Sequence, residues 1–593
     1  MDRITKSFLE EFCKINELAN IKESKQYEYF SNYCAITKEY GNSSFDLDDM
    51  TTGEATQGID GIGIIVNNKL VNEVEEIKDL IEINKVLNVK FVLIQSKTSS
   101  SFSNPDILNF FAWTESFFLG EKEAFSSEEM KKFLELKEFI YDTENCKYMS
   151  KANPILEMYY TTTGNWVNDK NLQIIIENNK NKLKSCNLFS KIDFTPVGAS
   201  EIQDLYRKTK EKSFATFNFG KRVTIPTDGK IKEGYYGIIS FEEYRKIIID
   251  DKDNMKNVFE DNIRDFLGED NDVNESMNET LNDVNSIMKF GLLNNGITIV
   301  TEDISVTGDC VSVTNYQIVN GCQTSHILYQ NRELPEINKV YIPIRIIATD
   351  DDEIKNEITT ATNNQTAIKK EQLAALSDYQ RNLEQYYNTY PDNGFKLYYE
   401  RRTNQYNQMP VPKNKIVSIS TQIKAFSSMF LDMPHAVTGF YGTVVRKSEG
   451  EIFKRTDKFI MYYASALTLY KLEYYFKNGT LDSKYRRAKN HILMLFKLVV
   501  FNNEIPNFNS AEMERKCQKM IDYLVNNDTR IFNDIIDMIK NNPEKLDILD
   551  RKLFERKETT DQLVALIGPI IEMYNSEKSN SINALDQISF FNM

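Results

Sequence analysis

The sequence predicts a multidomain α/β (α+β) protein, and three observations lead to this expectation. A chain of 593 residues is too long for a single hydrophobic core. Before residue 415, short β-branched and aromatic runs alternate with segments of helical periodicity, and beyond it the pattern is helical almost to the end. We therefore expect a mixed sheet flanked by helices in residues 1–210, a central α+β core in residues 211–415 and a helical C-terminal region in residues 416–593.

The N-terminal segment predicts the order α-β-β-β-α-β-α-β through about residue 208. Apolar residues at helical spacing predict helix over residues 1–40. Two apolar runs, Ile62 to Val66 and Phe91 to Ile94, predict strands. Residues 70–87, between these strands, predict a short helix or an edge element. The later elements are a helix in SSSFSNPDILNFFAWTESFF, a strand in ILEMYYTTTG, a helix in NLQIIIENNKNKL and a strand in KIDFTPVG.

Three polar side chains are expected to meet where the first two apolar strands end. Asp60 precedes the first strand, and Gln95 and Lys97 follow the second. Because side chains alternate along a strand, Gln95 and Lys97 share one face, with Ser96 turned the other way. If the two strands are neighbours, a carboxylate, an amide oxygen and an ammonium converge on one point.

This trio suits metal-assisted cleavage of a phosphodiester. Mg²⁺, or Mn²⁺ in its place, prefers oxygen ligands, which the Asp60 carboxylate, the Gln95 side-chain carbonyl and the Ser96 backbone carbonyl supply. A bound metal lowers the pKa of its water and neutralises charge that builds on the phosphate. Lys97 would orient that water or stabilise the developing negative charge.

These residues and the predicted element order resemble the PD-(D/E)xK nuclease superfamily, in particular its Mrr-like branch, where Gln can replace the first acidic residue of the second motif. The resemblance implies a restriction-endonuclease-like fold in which Asp60, Gln95 and Lys97 are catalytic. It also implies a glutamate from the first helix, and Glu28 is the candidate that completes the metal site, because Gln95 carries no charge. The alternatives to Glu28, on an expected loop, are Asp46, Asp48 and Asp49.

A second distinctive stretch covers residues 290–330. Asn295 and Gly296 lie between apolar runs and predict a tight turn, and the alternating Ile and Val residues after them predict antiparallel strands. Gly321 then stands between a strand and a helix, whose free backbone N–H groups can bind an anion. The candidate phosphate or ligand contacts are Asn295, Asn320, Gly321, Gln323, Thr324, Asn364, Arg401 and Arg402. The alternative is that the Asn-Asn-Gly and Asn-Gly-Cys-Gln-Thr segments only form turns and caps.

Several motifs in this part of the chain are similar to those of the AIPR family, which is named for abortive infection and phage resistance. They are VFEDNIRDFLG, the segment from Asn274 to Leu281, LLNNGITI, QIVNGCQTS and TNNQTAIKKEQL, in that order. The resemblance implies a role in prokaryotic defence against phage, and family members are similar to this chain in carrying an Mrr-like N-terminal nuclease. The AIPR part would then sense a trigger or gate the nuclease.

Composition narrows the class of protein. A net charge of −15 argues against a protein that coats nucleic acid indiscriminately, because such affinity comes from Lys and Arg that neutralise phosphates. Seven scattered cysteines without a CxxC pair indicate reduced thiols, and three well-separated histidines argue against zinc-dependent hydrolysis. No window is apolar enough for a membrane span, so we expect a cytoplasmic protein that does not bind a membrane.

The expected function is a metal-dependent endonuclease in anti-phage defence, gated by the AIPR module. The substrate is nucleic acid, with DNA favoured over RNA, and the trigger is a phage-derived component or a nucleotide. A homodimer is expected because nuclease cores of this kind often act in pairs. The alternative is a sensor that binds nucleic acid or another ligand through a non-catalytic nuclease-like domain and acts through a partner.

Overall fold

The computed structural model describes most of the 593 residues. The ranges that it does not describe are 42–44, 54–57, 121–124, 126, 150–151, 168, 211, 228, 251–252, 254, 257, 260–271, 284–285, 363–366, 393–395, 402–404, 407–408, 410, 439–443, 445–446, 449–450, 527–528, 543, 545, 548 and 592–593.

The chain divides into two compact units. Unit 1 comprises Met1–Asn72, Leu80–Asp378 and Arg402–Pro410, and unit 2 comprises Glu73–Asp79, Tyr379–Arg401 and Val411–Met593. This division differs from the three domains expected from the sequence. The first two of those domains share unit 1, and the change to the helical unit falls near residue 379 instead of residue 416.

Unit 1 begins with a five-stranded mixed sheet. Its strands are β1 (Gly61–Val66), β2 (Lys69–Leu70), β3 (Val89–Lys97), β4 (Ile155–Thr162) and β5 (Lys191–Val197). The spatial order is β2-β1-β3-β4-β5, with β1 antiparallel to β2 and β3, and β3, β4 and β5 parallel. The accompanying helices are α1 (Arg3–Ile15), α2 (Glu23–Tyr40), α3 (Val74–Asn84), α4 (Asn104–Leu119), α5 (Glu128–Tyr141), α6 (Thr143–Cys146), α7 (Lys170–Lys184) and α8 (Ala199–Lys208).

Helices pack on both faces of this sheet, and the alternation of side chains along β4 shows which face each covers. Tyr159 is buried in a cluster with residues of α1, α2 and α8. Tyr160, its neighbour in the chain, is instead in contact with Phe110 of α4. The mixed α/β character expected from the sequence is confirmed, whereas the likeness of this sheet to a restriction endonuclease stays a prediction.

A six-stranded mixed sheet forms the second part of unit 1. Its strands are β6 (Phe214–Asn218), β7 (Arg222–Thr224), β8 (Glu233–Ser240), β9 (Ile297–Thr307), β10 (Cys310–Asn320) and β11 (Tyr341–Ala348), in the spatial order β6-β10-β9-β11-β8-β7. One face is packed into an apolar core with the helices of this region. The helices of this core are α9 (Phe241–Ile248), α10 (Asp272–Asn282), α11 (Phe290–Leu293) and α12 (Cys322–Gln330), and α13 (Asp352–Thr362) follows β11.

The described residues of unit 2 are helical apart from one short parallel ribbon. Strands β12 (Tyr398–Glu400) and β13 (Ile416–Ser418) form the ribbon. Helix α14 (Ala367–Asn388) runs across the division at residue 379, and the later helices are α15 (Ile419–Phe430), α16 (Phe459–Lys477), α17 (Lys489–Phe501), α18 (Ala511–Val525), α19 (Arg530–Lys540), α20 (Arg551–Phe554) and α21 (Lys557–Phe591). Helix α17 lies at the centre, since all its residues from His491 to Phe501 are buried. Among the described residues, no helix is both long and apolar enough to cross a membrane.

Candidate functional site

The pairing of β1 with β3 places Asp60 beside Gln95. The ladder runs from Val66↔Val89 to Gly61↔Ile94, and the Asp60 N–H donates to the Ile94 carbonyl at 2.8 Å. In an antiparallel pair, the next residues along the ladder lie opposite one another on the same face. Asp60 therefore stands across from Gln95 at the end of the sheet, as the sequence predicts for neighbouring strands.

One oxygen of the Asp60 carboxylate accepts hydrogen bonds from two consecutive residues of β3. Oδ2 accepts from Gln95 Nε2 at 2.7 Å, from the Ser96 N–H at 2.6 Å and from Ser96 Oγ at 3.0 Å. The expectation that Ser96 turns away from this point is wrong for its hydroxyl. The reason is that Asp60 lies just beyond the strand end, so its side chain reaches both residues.

Helix α2 fixes the backbone of Asp60 from the other side. Asn32 is buried, and its Nδ2 donates to the Asp60 carbonyl at 3.3 Å. A Cβ atom on Gly61 would lie 2.2 Å from Asn32 Oδ1, so only glycine fits next to Asp60 at this distance from the helix. Asn32 Oδ1 itself is buried without a hydrogen-bond partner among the described residues.

Gln95 presents an unsatisfied acceptor in the site. Its side chain is 2% exposed, and Oε1 has no hydrogen-bond partner among the described residues. An unpaired buried carbonyl costs free energy unless another group satisfies it, such as water or a cation. The adjacent residue on β4 is Tyr160, whose buried hydroxyl is also without a described partner. Two buried polar atoms on neighbouring strands thus lack hydrogen-bond partners in the part of the chain that the structure describes.

Burial and the neighbouring donors and charges shift the pKa of Asp60 in opposite directions. Burial raises the pKa of the Asp60 carboxyl above its ordinary value, while the bonds from Ser96 and the positive charges of Lys97 and then Lys25 lower it. The net result is a raised pKa, so this carboxylate would gain from a further positive charge. Lys97 therefore lies near enough to Asp60 to act on it electrostatically.

Glu28 is connected to the site through Lys25. Lys25 Nζ lies 2.5 Å from Glu28 Oε1, one helical turn apart on α2, and the same ammonium is among the charges felt by Asp60. Glu28 is thus paired with a lysine that acts on Asp60 electrostatically, and its role as a metal ligand stays a prediction. Among the described residues, no three His, Cys, Asp or Glu side chains are grouped so that they alone hold a metal ion.

The loop aspartates considered as alternatives to Glu28 have local partners. Asp48 accepts from the Tyr29 hydroxyl at 2.5 Å, and Asp49 lies 3.4 Å from Lys132 Nζ. Asp46 caps the loop by accepting from the Asp48 N–H at 2.9 Å. These contacts stabilise the loop before β1.

The candidate ligand residues of the second sheet make contacts that shape the turn before α12. Asn320 Nδ2 donates to the Thr362 carbonyl, and Thr324 Oγ1 donates to the Met277 sulfur at 3.7 Å. Gly321 has a φ of +92°, and a Cβ there would lie 2.4 Å from Ile297 Cδ1. Gln323 is half-buried in the first turn of α12. The predicted turn-and-cap geometry is therefore present, and binding of a phosphate stays a prediction.

The remaining predicted ligand residues are Asn295, Asn364, Arg401 and Arg402. Asn295 is exposed between α11 and β9, where Gly296 has a φ of +78°, so the Asn-Gly pair joins a helix to a strand instead of closing a hairpin. Arg401 belongs to unit 2, where its guanidinium is 9% exposed and lies 2.9 Å from Glu384 Oε2. Tyr399 beside it is fully buried, so neither residue offers an open surface to a base or phosphate. Asn364 and Arg402 lie outside the described residues.

Comparison with known protein families gives a match over the second half of the chain. The profile of the family described as AIPR protein matches residues 259–562, about half of the chain. The matched segment includes β9, β10 and β11 of the second sheet and continues through the helices of unit 2 as far as the start of α21. No curated protein and no solved structure matches the chain.

Proposed function

The chain belongs to the AIPR protein family, and on that premise we propose that it serves in defence against phage as a divalent-metal-dependent nuclease. The family is named for abortive infection and phage resistance, which implies the defence role. The proposed hydrolytic site is the end of the first sheet, and the proposed role of the AIPR part is to hold the nuclease idle until a phage-derived component or a nucleotide arrives.

The single observation that carries this proposal is the unsatisfied Gln95 carbonyl oxygen beside the half-buried Asp60 carboxylate. Asp60 Oδ2 is occupied by donors from β3, whereas Oδ1 accepts no hydrogen bond from a described residue. Gln95 Oε1 likewise accepts none within the described ranges. A half-turn of the amide exchanges its oxygen and nitrogen, so either atom can face the carboxylate. Two oxygens without donors suit a hard cation.

The residues present fit Mg²⁺ or Mn²⁺ in part. Asp60 and Gln95 would hold the ion, with Glu28 as the further carboxylate if it exchanges Lys25 for the metal. The ion, when bound, supplies a water of lowered pKa and neutralises charge on the phosphate. Lys97 would then position the attacking water or stabilise the charge that develops on the scissile phosphate. Asn32 and Ser96 keep Asp60 in place through its carbonyl and its carboxylate.

The test replaces Asp60 by Asn, which keeps the shape and removes the charge. Purified wild type is incubated with plasmid, single-stranded DNA and RNA, with and without Mn²⁺. We expect divalent-dependent cleavage by the wild type, and activity of Asp60→Asn and Lys97→Met no higher than that without metal. Asp457→Asn is the matched control, because burial likewise raises the pKa of that carboxyl but it lies in unit 2. Full activity of Asp60→Asn, with the control unchanged, would refute the assignment.

Gln95→Glu provides a second test, in which metal binding is expected to become tighter instead of weaker. It adds a negative charge next to Asp60, which repels that carboxylate without metal and attracts a cation. We expect the Mn²⁺ concentration for half-maximal cleavage to fall by about tenfold, which corresponds to roughly 1.4 kcal/mol of added attraction. An unchanged metal requirement would place the ion elsewhere.

A second candidate function is a protein that binds nucleic acid through this domain without cutting it. The observation that favours it is the lack, among the described residues, of three grouped acidic or other strong metal ligands. Isothermal titration of the metal-free protein with Mn²⁺ separates the two functions. Heat of binding that is lost in Asp60→Asn supports the nuclease, and no binding by the wild type supports the alternative.

A further inference from the structure

The outward face of the second sheet carries exposed aromatic and apolar side chains along its β11-β8-β7 side. The opposite face of the same strands is core, with Ile239, Ile342 and Ile344 fully or almost fully buried. Since side chains alternate, the residues between them point away from that core. Tyr236 is 46% exposed, and Ile238 is 41% exposed. The same face also carries Tyr341, Pro343, Arg345 and Val223, and together these six residues are called the tyrosine face.

Strand register orders the tyrosine face into a row. Tyr236 lies opposite Arg345 on β11, Ile238 opposite Pro343, and Ser240 opposite Tyr341. Val223 of β7 lies opposite Tyr236 on its other side. The two tyrosines are therefore four residues apart along the ladder, which corresponds to about 13 Å. The row is an exposed platform with an aromatic ring at each end.

Positive charge accompanies both rings. Lys221 Nζ lies 4.2 Å from the Tyr341 ring centroid, and the Arg345 guanidinium lies 5.9 Å from that of Tyr236. Nearby cations of this domain are neutralised by acids, such as Lys232 by Asp350 at 2.6 Å. By contrast, the ion pairs of the described residues include neither Lys221 nor Arg345. The outward positions of β7, β8 and β11 contain no Asp or Glu.

We propose that the tyrosine face binds single-stranded nucleic acid. Exposed aromatic rings beside unpaired cations are what a single strand requires, because its bases stack on the rings and its phosphates meet the cations. A duplex would not use the rings, since its bases are already stacked and paired. The charge of the face is complementary to nucleic acid although the whole chain carries −15, so binding is confined to this patch.

The inference rests on the proposed function only in taking nucleic acid as the substrate. If both hold, the face selects a single strand and presents it to the nuclease as the substrate class. The binding is measured without cleavage, so that the two proposals fail separately.

The experiment measures binding of the full chain to fluorescein-labelled 12-nucleotide oligo(dT), oligo(U) and a 12-base-pair duplex by anisotropy in EDTA. We expect the single strands to bind at least tenfold more tightly than the duplex. Tyr236→Ala and Tyr341→Ala should each weaken single-strand binding by roughly fivefold or more, the effect of losing one stacked base. Arg345→Gln should lower the slope of log K against log salt by about 0.7, the value for one lost phosphate contact with a single strand.

Tyr474→Ala is the matched control, since this tyrosine of α16 is 40% exposed and does not belong to the tyrosine face. It should bind like the wild type, and thermal melts should show that all variants fold. Equal affinity for duplex and single strand, or full binding by both tyrosine variants, would overturn the proposal. A dimer that the same variants dissociate, without oligonucleotide binding by the wild type, would also overturn it and assign the face to a second copy. If Asp60→Asn still cleaves while the tyrosine variants lose binding, the nuclease site is wrong and this inference stands.

Discussion

Glu157 of β4 carries a buried carboxyl in a group of charges on the α2 face of the first sheet. Glu39 of α2 accepts from the Tyr159 hydroxyl at 2.5 Å and lies 2.9 Å from Lys90 Nζ. Burial, with the negative charges of Glu39 and Asp193, raises the pKa of Glu157 to about 7, although Lys90 and Lys191 lower it. The proposed chemistry does not use Glu157, so a substitution there tests the stability of the first sheet without altering the proposed site.

The pH dependence of unfolding should reveal Glu157. Because its folded-state pKa is raised from 4.5 to about 7, folding favours the protonated form. That stabilising contribution is complete below pH 4.5 and is lost as pH rises through 7. We expect Glu157→Gln to be more stable than the wild type at pH 8 by up to about 3 kcal/mol and nearly equal to it at about pH 4, measured by urea unfolding. Exposed Glu177→Gln is the control and should show no such difference.

The candidate site was predictable from the sequence at some residues and not at others. The pairing of Asp60 with Gln95 follows from treating the two apolar runs as neighbouring strands, while the joint role of Asp60, Gln95 and Lys97 stays a prediction. Asn32 gives no such signal, since its contact with Asp60 depends on how α2 crosses the sheet. The contact between Ser96 and Asp60 was missed for a similar reason. Asp60 lies just outside the paired residues of β1 and β3, and that position depends on how the two strands pair, which the pattern of a single strand does not show.

At the level of the elements, the final helix is held by a shared hydroxyl. Thr560 Oγ1 of α21 lies 3.0 Å from His435 Nδ1 and 3.3 Å from His491 Nε2. His491 is 3% exposed, and burial, with a smaller effect from His435, lowers its pKa to about 3. One hydroxyl thus satisfies two imidazoles, and both histidines depend on the docking of α21.

Replacing that hydroxyl should weaken the docking of α21. Thr560→Val leaves a nitrogen of the buried His491 and one of the half-buried His435 unsatisfied, which costs about 1 to 3 kcal/mol. Urea unfolding at pH 7.5 should show this loss. Thr559→Val is the control, because Thr559 is equally buried but its hydroxyl makes no hydrogen bond with a described residue. Equal stability of the two variants would mean that the histidines do not rely on Thr560.

Most elements were predictable from periodicity, and the exceptions have local causes. Residues 1–40 form two helices, α1 and α2, although the sequence between them contains no Gly or Pro. The first ends because Asn16 Nδ2 donates to the Phe12 carbonyl, and Leu18 is then fully buried. Residues 70–87 contain both expected alternatives, the edge strand β2 and the helix α3. The strands expected between residues 297 and 313 merge into the hairpin of β9 and β10.

At the scale of the whole molecule, the boundary of the helical unit depends on contacts distant in sequence. Tyr398 pairs with Ile416, and Tyr387 packs on Tyr463 at 4.9 Å, which ties residues 379–401 to the helices that follow. Neither contact is visible in the local pattern of hydrophobic residues. A boundary near residue 416 was therefore the natural expectation from periodicity alone.

Binding of the proposed metal should stabilise the whole chain. A ligand present at about 100 times its Kd adds about 2.7 kcal/mol to the free energy of unfolding when it binds only the folded state. We expect Mn²⁺ to raise the melting temperature of the wild type by an amount that EDTA reverses, and not to raise that of Asp60→Asn. The melting temperatures are measured by differential scanning fluorimetry. An equal rise in both proteins would place the metal away from Asp60.

The way in which the polypeptide is divided between the units limits how the protein can be dissected. Five covalent crossings connect the units, since residues 73–79 belong to unit 2 and residues 402–410 return to unit 1. Within unit 2, Lys424 Nζ lies 2.8 Å from Glu76 Oε1. No continuous segment of the chain therefore contains either unit. A fragment that ends at residue 210 would lack part of the residues that contact α3, such as Lys424. Loss of activity in such a truncation would report misfolding, so point substitutions are the means of assigning roles in this chain.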